Sequence, residues 1–111
     1  MNSDCTPGTR NQAGINGPIY DLLGYKRMIL DLHYGMHQPE AITNINIEDI
    51  AEKMAGVGID SLLHFTRDHW GYQYVKTSTG IAHPNAPNDL FGQLQALLQQ
   101  KGIVTTGYLS V

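Results

Sequence analysis

Two short runs carry the side chains whose types and spacing suit chemistry. Asp31-Leu32-His33 sets a carboxylate two residues before an imidazole, and Asp68-His69-Trp70 sets a carboxylate, an imidazole and an indole in succession. Carboxylates and imidazoles exchange hydrogen bonds with hydroxyl groups, and an indole ring covers an apolar face. A sugar presents both kinds of surface, so His33, Asp68, His69 and Trp70 are candidate sugar-binding residues, with the phenol of Tyr108 as a further one. Each has a plainer reading beside it. Asp31 and His33 also fit an interior polar pair that is simply hydrogen-bonded. Asp68 fits a strand-end turn in which its carboxylate caps backbone amides. Trp70 fits packing against its loop, and Tyr108 a buried structural tyrosine.

Other chemistries compete less well. Asp31-x-His33-x-x-x-His37 has residues that hold Zn²⁺ in metal-dependent hydrolases, with Asp68 and His69 as further ligands, yet the tighter His-x-His pair usual in such barrels is missing. The expectation is no metal and no cofactor. Gly56-Val57-Gly58 follows a helical pattern rather than a strand, the wrong side for a nucleotide phosphate. No turn motif supports a serine nucleophile. His64 reads as a satisfied core histidine in mid-strand, His83-Pro84 as loop structure, and Tyr72 and Tyr74 as loop packing.

The elements that must position these residues follow from periodicity. Met28–His33 is a short apolar run suited to a buried strand, with Ile29, Asp31 and His33 on one face. Asn46 opens a helix over Ile47–Ala55, with Glu48 and Asp49 in its first turn and Gly56 and Gly58 at its end. Asp60–Arg67 is a second strand, with Leu63 and Phe65 on one face and His64, Thr66 and Asp68 on the other. Asn88 or Asp89 caps a helix over Leu90–Lys101, whose stripe is Leu90, Leu94, Leu97 and Leu98 and whose C′ residue is Gly102. Ile103–Leu109 is a third strand. Residues 34–46 and 71–87 are long connections, whereas the turns from helix to strand are tight. Strands alternating with helices predict a parallel α/β sheet, and long loops after the strands mark the C-terminal strand ends as the site. Residues 1–24 read as a polar tail or lead-in, and residues 25–111 as one partial domain.

Composition narrows the function. Lys and Arg total 7, form no cluster and leave a net charge of -3, so nucleic acid and anionic membrane surfaces are not expected partners. No apolar run approaches the roughly 18 residues of a membrane span. Charged residues make up 15% of the chain, below the roughly 25% of an average domain, which fits a chain whose loops and strand ends do the work. A single cysteine, Cys5, excludes an intrachain disulfide.

The segments DSLLHFTRDHWGYQYVKTSTGIAHP and NDLFGQLQALLQQKGIVTTGYLSV resemble the second and third βα units of α-L-fucosidase-like glycoside hydrolases. They are closer still to the barrel family known as hypothetical glycosyl hydrolase 6. The resemblance rests on Arg67, Asp68, His69, Gly71, Tyr72, Asp89, Leu90 and Tyr108, with RMILDLHYG matching the family's opening strand and its terminal His33, and it covers about Tyr25 to Val111. Two positions depart from the fucosidases proper: Asp68 replaces the first histidine of a His-His pair, and Trp70 replaces an aspartate. What the resemblance implies is the first three strands and two helices of a (β/α)₈ TIM barrel, a fragment of a retaining glycosidase acting on a carbohydrate substrate. Such barrels place the nucleophile at the end of strand four and the acid later, so the resemblance implies binding residues here and no catalytic residue. The alternative is a non-catalytic carbohydrate-binding half-barrel that self-associates across its exposed strand edges.

Overall fold

The computed structural model describes residues 22–33 and 39–111. Cys5, His37 and most of the 1–24 lead-in lie outside these residues. The described elements are, in order, β1 (Arg27–Ile29), α1 (Pro39–Thr43), α2 (Ile47–Gly56), β2 (Ser61–Arg67), β3 (Tyr72–Gln73), β4 (Ile81–Ala82), α3 (Leu90–Gln100) and β5 (Val104–Leu109). Together they make a mixed α/β unit with one five-stranded sheet and, among the described residues, three helices. None of those helices is long and apolar enough to cross a membrane.

The helix ends follow their capping residues. Asn46 is extended, and its Oδ1 accepts the Asp49 N–H at 2.9 Å at the start of α2. Past its end, Gly58 takes φ +73°, a left-handed conformation that glycine adopts at little cost. Asp89 caps α3 from an unusual backbone, with φ 50° and ψ 48°. The strain is offset locally: its Oδ1 accepts the N–H of Gly92 at 3.3 Å and of Lys76 at 2.9 Å. A side chain at position 92 would collide with that carboxylate, so glycine is needed in the first turn of α3.

β2 is the centre of the sheet. β1 pairs with it in parallel, Ile29 opposite Leu63, and β5 pairs in parallel on its other side, Leu63 opposite Thr106 and Phe65 opposite Tyr108. Paired residues share a face, so Ile29, Leu63, Phe65, Thr106 and Tyr108 form one side. Leu62 and His64 form the other and are buried, together with Leu90, Leu94 and Leu98 of α3. At the opposite end of the strands, Asp60 Oδ2 accepts the N–H groups of Tyr25 and Lys26, each at 2.9 Å, tying β1 to the start of β2.

The α/β class and the strand–helix–strand–helix–strand order are as expected, with three local corrections. The first strand is Arg27–Ile29, not Met28–His33. Leu30 still donates to the Leu63 carbonyl at 2.9 Å, but the Asp31 side chain then takes the His33 N–H and turns the chain out of the sheet. Residues 71–87 are not a plain connection. β3 folds back antiparallel on β2, with Arg67 opposite Gln73, and β4 pairs with β3. Residues 39–43 of the first connection form a short helix.

His64 is a core residue, but not a satisfied one. It is 2% exposed, stacks on Phe91 with ring centroids 4.0 Å apart, and its Nε2 has no hydrogen-bond partner. Burial alone lowers its pKa to about 4, so the folded protein holds it neutral.

Two outcomes follow from this core. Leu94 is fully buried, and Leu94→Ala should cost about 3 kcal/mol of unfolding free energy, read from urea titration. For His64 the lowered folded pKa fixes the sign. Its contribution is fully present above the unfolded pKa of about 6.5 and is lost as pH falls towards the folded value. Between pH 7 and pH 5 the protein should lose about 2 kcal/mol from this group. His64→Leu should flatten that part of the stability–pH curve, and an unchanged slope in the variant would show that another group carries it.

Candidate functional site

The C-terminal ends of β1, β2 and β5 lie side by side, and the candidate residues gather there. The His33 ring lies 4.7 Å from that of His69, 4.6 Å from Phe65, and 6.2 Å from both Trp70 and Tyr108. His69 and Trp70 are tilted against each other at 3.9 Å. Phe65 stacks on Tyr108 at 4.6 Å and floors the cluster. Four of the five residues singled out from sequence therefore meet at one rim, although they come from three strand ends. Phe65 is not among the candidate residues of the sequence. Strand alternation holds the signal, since Phe65 faces the same side as Leu63 and lies one step closer to the rim.

The exposed and buried parts of the rim differ in kind. Trp70 is 46% exposed, and the His33 side chain is about one-third exposed. Two imidazoles beside an accessible indole offer hydrogen-bonding edges next to a flat apolar surface. Earlier along the same strands and on the same face, Ile29, Leu63 and Thr106 line a largely apolar cavity of about 320 Å³.

Asp31 sits behind His33. Its Oδ1 lies 2.7 Å from His33 Nδ1 and accepts the His33 backbone N–H at 2.8 Å. This is a carboxylate–imidazole pair at the rim itself, outside the strand.

Asp68 departs from the expectation of a direct sugar contact. It is 1% exposed. Its Oδ1 accepts the N–H groups of Trp70 and Tyr72, each at 3.0 Å, and its Oδ2 accepts the Tyr74 hydroxyl at 2.7 Å. Both oxygens are thus engaged by the chain that follows, as the amide-capping reading of this residue anticipated. Tyr74, read as loop packing, is the buried phenol that completes the arrangement. Burial first, and then the hydrogen bond and charge of Asp68, push the Tyr74 pKa far above the usual phenol value, so it remains a donor. His83 stacks against Tyr74 at 5.4 Å, and its Nδ1 accepts the Asn85 N–H at 3.1 Å. Burial lowers the His83 pKa, opposed in part by the Asp68 charge. The loop reading of His83 therefore holds, with the addition that its ring packs in the loop's interior.

His37, needed for the metal-dependent reading, lies outside the described residues. Among the described residues no group of three His, Cys, Asp or Glu side chains is placed to hold a metal ion.

No family model matches the chain, and no curated protein matches it in sequence. Among solved structures, α-L-fucosidase isoenzyme 2 from Paenibacillus thiaminolyticus is similar, with a TM-score of 0.67 and 24% identity over 77% of this chain. The chain spans 13% of the length of that protein. At this identity the likeness is one of fold: the βαβαβ arrangement has a counterpart within a much longer protein.

Proposed function

We propose that β1, β2 and β5 are consecutive strands of a (β/α)₈ barrel of the glycoside-hydrolase kind, and that His33, His69, Trp70 and Tyr108 are part of its glycone-binding wall. The observation that carries this reading is the meeting of His33 with His69 at 4.7 Å and of His69 with Trp70 at 3.9 Å. Residues far apart in sequence thus build one surface at the strand ends, where such barrels bind their substrates. The likeness in fold to an α-L-fucosidase supports the class and makes an α-L-fucoside the first ligand to try. Asp68 takes part indirectly, by holding the backbone of Trp70 and Tyr72 in place.

In this reading the chain contributes recognition. Retaining hydrolysis needs a nucleophilic carboxylate and an acid about 5–5.5 Å apart across the glycosidic bond. Of the two aspartates at the rim, Asp31 is paired with His33 and Asp68 is consumed by its own loop. The reacting carboxylates then come from other strands of the barrel enzyme.

A second reading, a non-catalytic sugar-binding unit that covers its sheet with another copy of itself, draws on Ile29. That residue is 65% exposed beside the apolar cavity. Sedimentation equilibrium separates the two, because a concentration-dependent dimer favours the second.

Trp70 is the only tryptophan in the chain, so its emission reports on the rim directly. Titration with L-fucose or methyl α-L-fucoside should change that emission saturably. His69→Ala and His33→Ala should each weaken the apparent affinity by about tenfold, the loss of one hydrogen-bonding group. A flat response across a panel of hexoses and deoxyhexoses would sink the sugar-binding reading. The purified chain should also fail to turn over an aryl α-L-fucoside. Turnover that His69→Ala abolishes would overturn the division between recognition and catalysis.

A further inference from the structure

We infer that Asp31 is a positioning residue that makes His33 a hydrogen-bond acceptor towards its ligand, so that this point of the rim selects a hydroxyl that donates. The inference rests on the sugar-binding reading above and adds the polarity of one contact.

A neutral imidazole carries one N–H and one lone pair, and which nitrogen holds the proton follows from the partners. Here Nδ1 lies 2.7 Å from Asp31 Oδ1, an ion-pair contact. An ionised carboxylate only accepts, so the proton is on Nδ1 and the lone pair on Nε2. The same oxygen accepts the His33 backbone N–H at 2.8 Å, which fixes the carboxylate relative to the residue it orients. The rings of Phe65, His69, Trp70 and Tyr108 surround the imidazole on other sides and restrict its rotation. Tautomer and ring orientation are therefore set together. A sugar hydroxyl donates to Nε2, and a group without a proton at that place, such as a fluorine or a methyl ether, leaves the lone pair unanswered. Without Asp31 the imidazole would be free to carry its proton on Nε2, which would then donate to a hydroxyl oxygen and no longer accept from an O–H.

The test reads the tautomer and the binding separately. Long-range ¹H–¹⁵N correlation spectra of the labelled full chain, recorded above the imidazole pKa, report which nitrogen of each histidine is protonated. The signals of His33 are assigned by their loss in His33→Ala. The protein should show His33 protonated at Nδ1. Asp31→Ala should shift the proton to Nε2 and weaken fucoside binding by about tenfold. Asp31→Asn, whose side-chain oxygen still accepts, should keep the Nδ1–H form and stay within about threefold of the parent affinity. A His33 protonated at Nε2 in the parent protein would overturn the inference, as would Asp31→Ala with a shifted tautomer and unchanged affinity. An Nδ1–H His33 in a protein that binds no sugar would instead sink the sugar reading, and with it the selection of a donating hydroxyl, while leaving the hold of Asp31 on His33 in place.

Discussion

The rim depends on one buried carboxylate. Asp68 ends β2, and its two oxygens receive the backbone of Trp70 and Tyr72 and the hydroxyl of Tyr74. A buried charge is tolerated when it is hydrogen-bonded on all sides, and removing one partner is costly because the remainder is left exposed to a poor solvent. The arrangement therefore works as a clamp. It reverses the chain so that β3 returns along β2, it draws Tyr74 into the core, and it leaves His69 and Trp70 on the outside of the turn. The Asp68 N–H donates to the Tyr72 carbonyl at 3.0 Å, and the Gly71 N–H to the Asp68 carbonyl at 3.1 Å, closing the same turn from its backbone side. Gly71 stands at φ +93°, where a side chain would be strained. The loop is thus anchored at its root, and its two ring-bearing residues are presented rather than packed away.

That clamp also explains which parts of the molecule were legible in the sequence. Capping and periodicity are local and legible: Asn46 opens its helix, Asp89 is the cap of the two that the sequence leaves open, Gly58 and Gly102 follow the helix ends, and Leu90, Leu94 and Leu98 line the buried stripe of α3. The faces of β2 follow from alternation alone, so Leu63 and Phe65 fall on one side and His64 on the other. β3 and β4 are two residues each, too short for any alternation to register, and they exist because Asp68 folds the chain back. The link from Asp68 to Tyr74 is a tertiary contact that residue types alone do not announce. For the same reason both the sugar-contact and the turn-capping readings of Asp68 are open in sequence, and it is its burial, with the amides of Trp70 and Tyr72 and the hydroxyl of Tyr74 on its oxygens, that favours the second.

The first strand illustrates the opposite limit. Its apolar pattern runs to His33, yet the ladder ends with the Leu30 N–H on the Leu63 carbonyl, and the Asp31 side chain then accepts the His33 N–H. Aspartate does this readily in turns. The break is useful for the site. The turn sets the His33 ring against Phe65 and beside His69, which comes from a different strand end. A local turn held by one carboxylate thus places His33 at the rim.

The two aspartates of the rim perform related tasks at different depths. Asp68 is buried and saturated, and it organises backbone. Asp31 is exposed and holds a single side chain. Neither is arranged as a nucleophile, which would require a carboxylate aimed at the ligand with an oxygen free to bond to carbon. What remains accessible towards a ligand is two imidazoles, an indole and a phenol. Such a surface binds through directed hydrogen bonds and ring contact rather than through charge, which suits an uncharged, hydroxylated ring better than a phosphate or a carboxylate. The low charge of the chain and the chemistry of its rim therefore fit the proposed sugar-binding role, in which Asp31 settles the polarity of His33 and Asp68 holds the turn that presents His69 and Trp70.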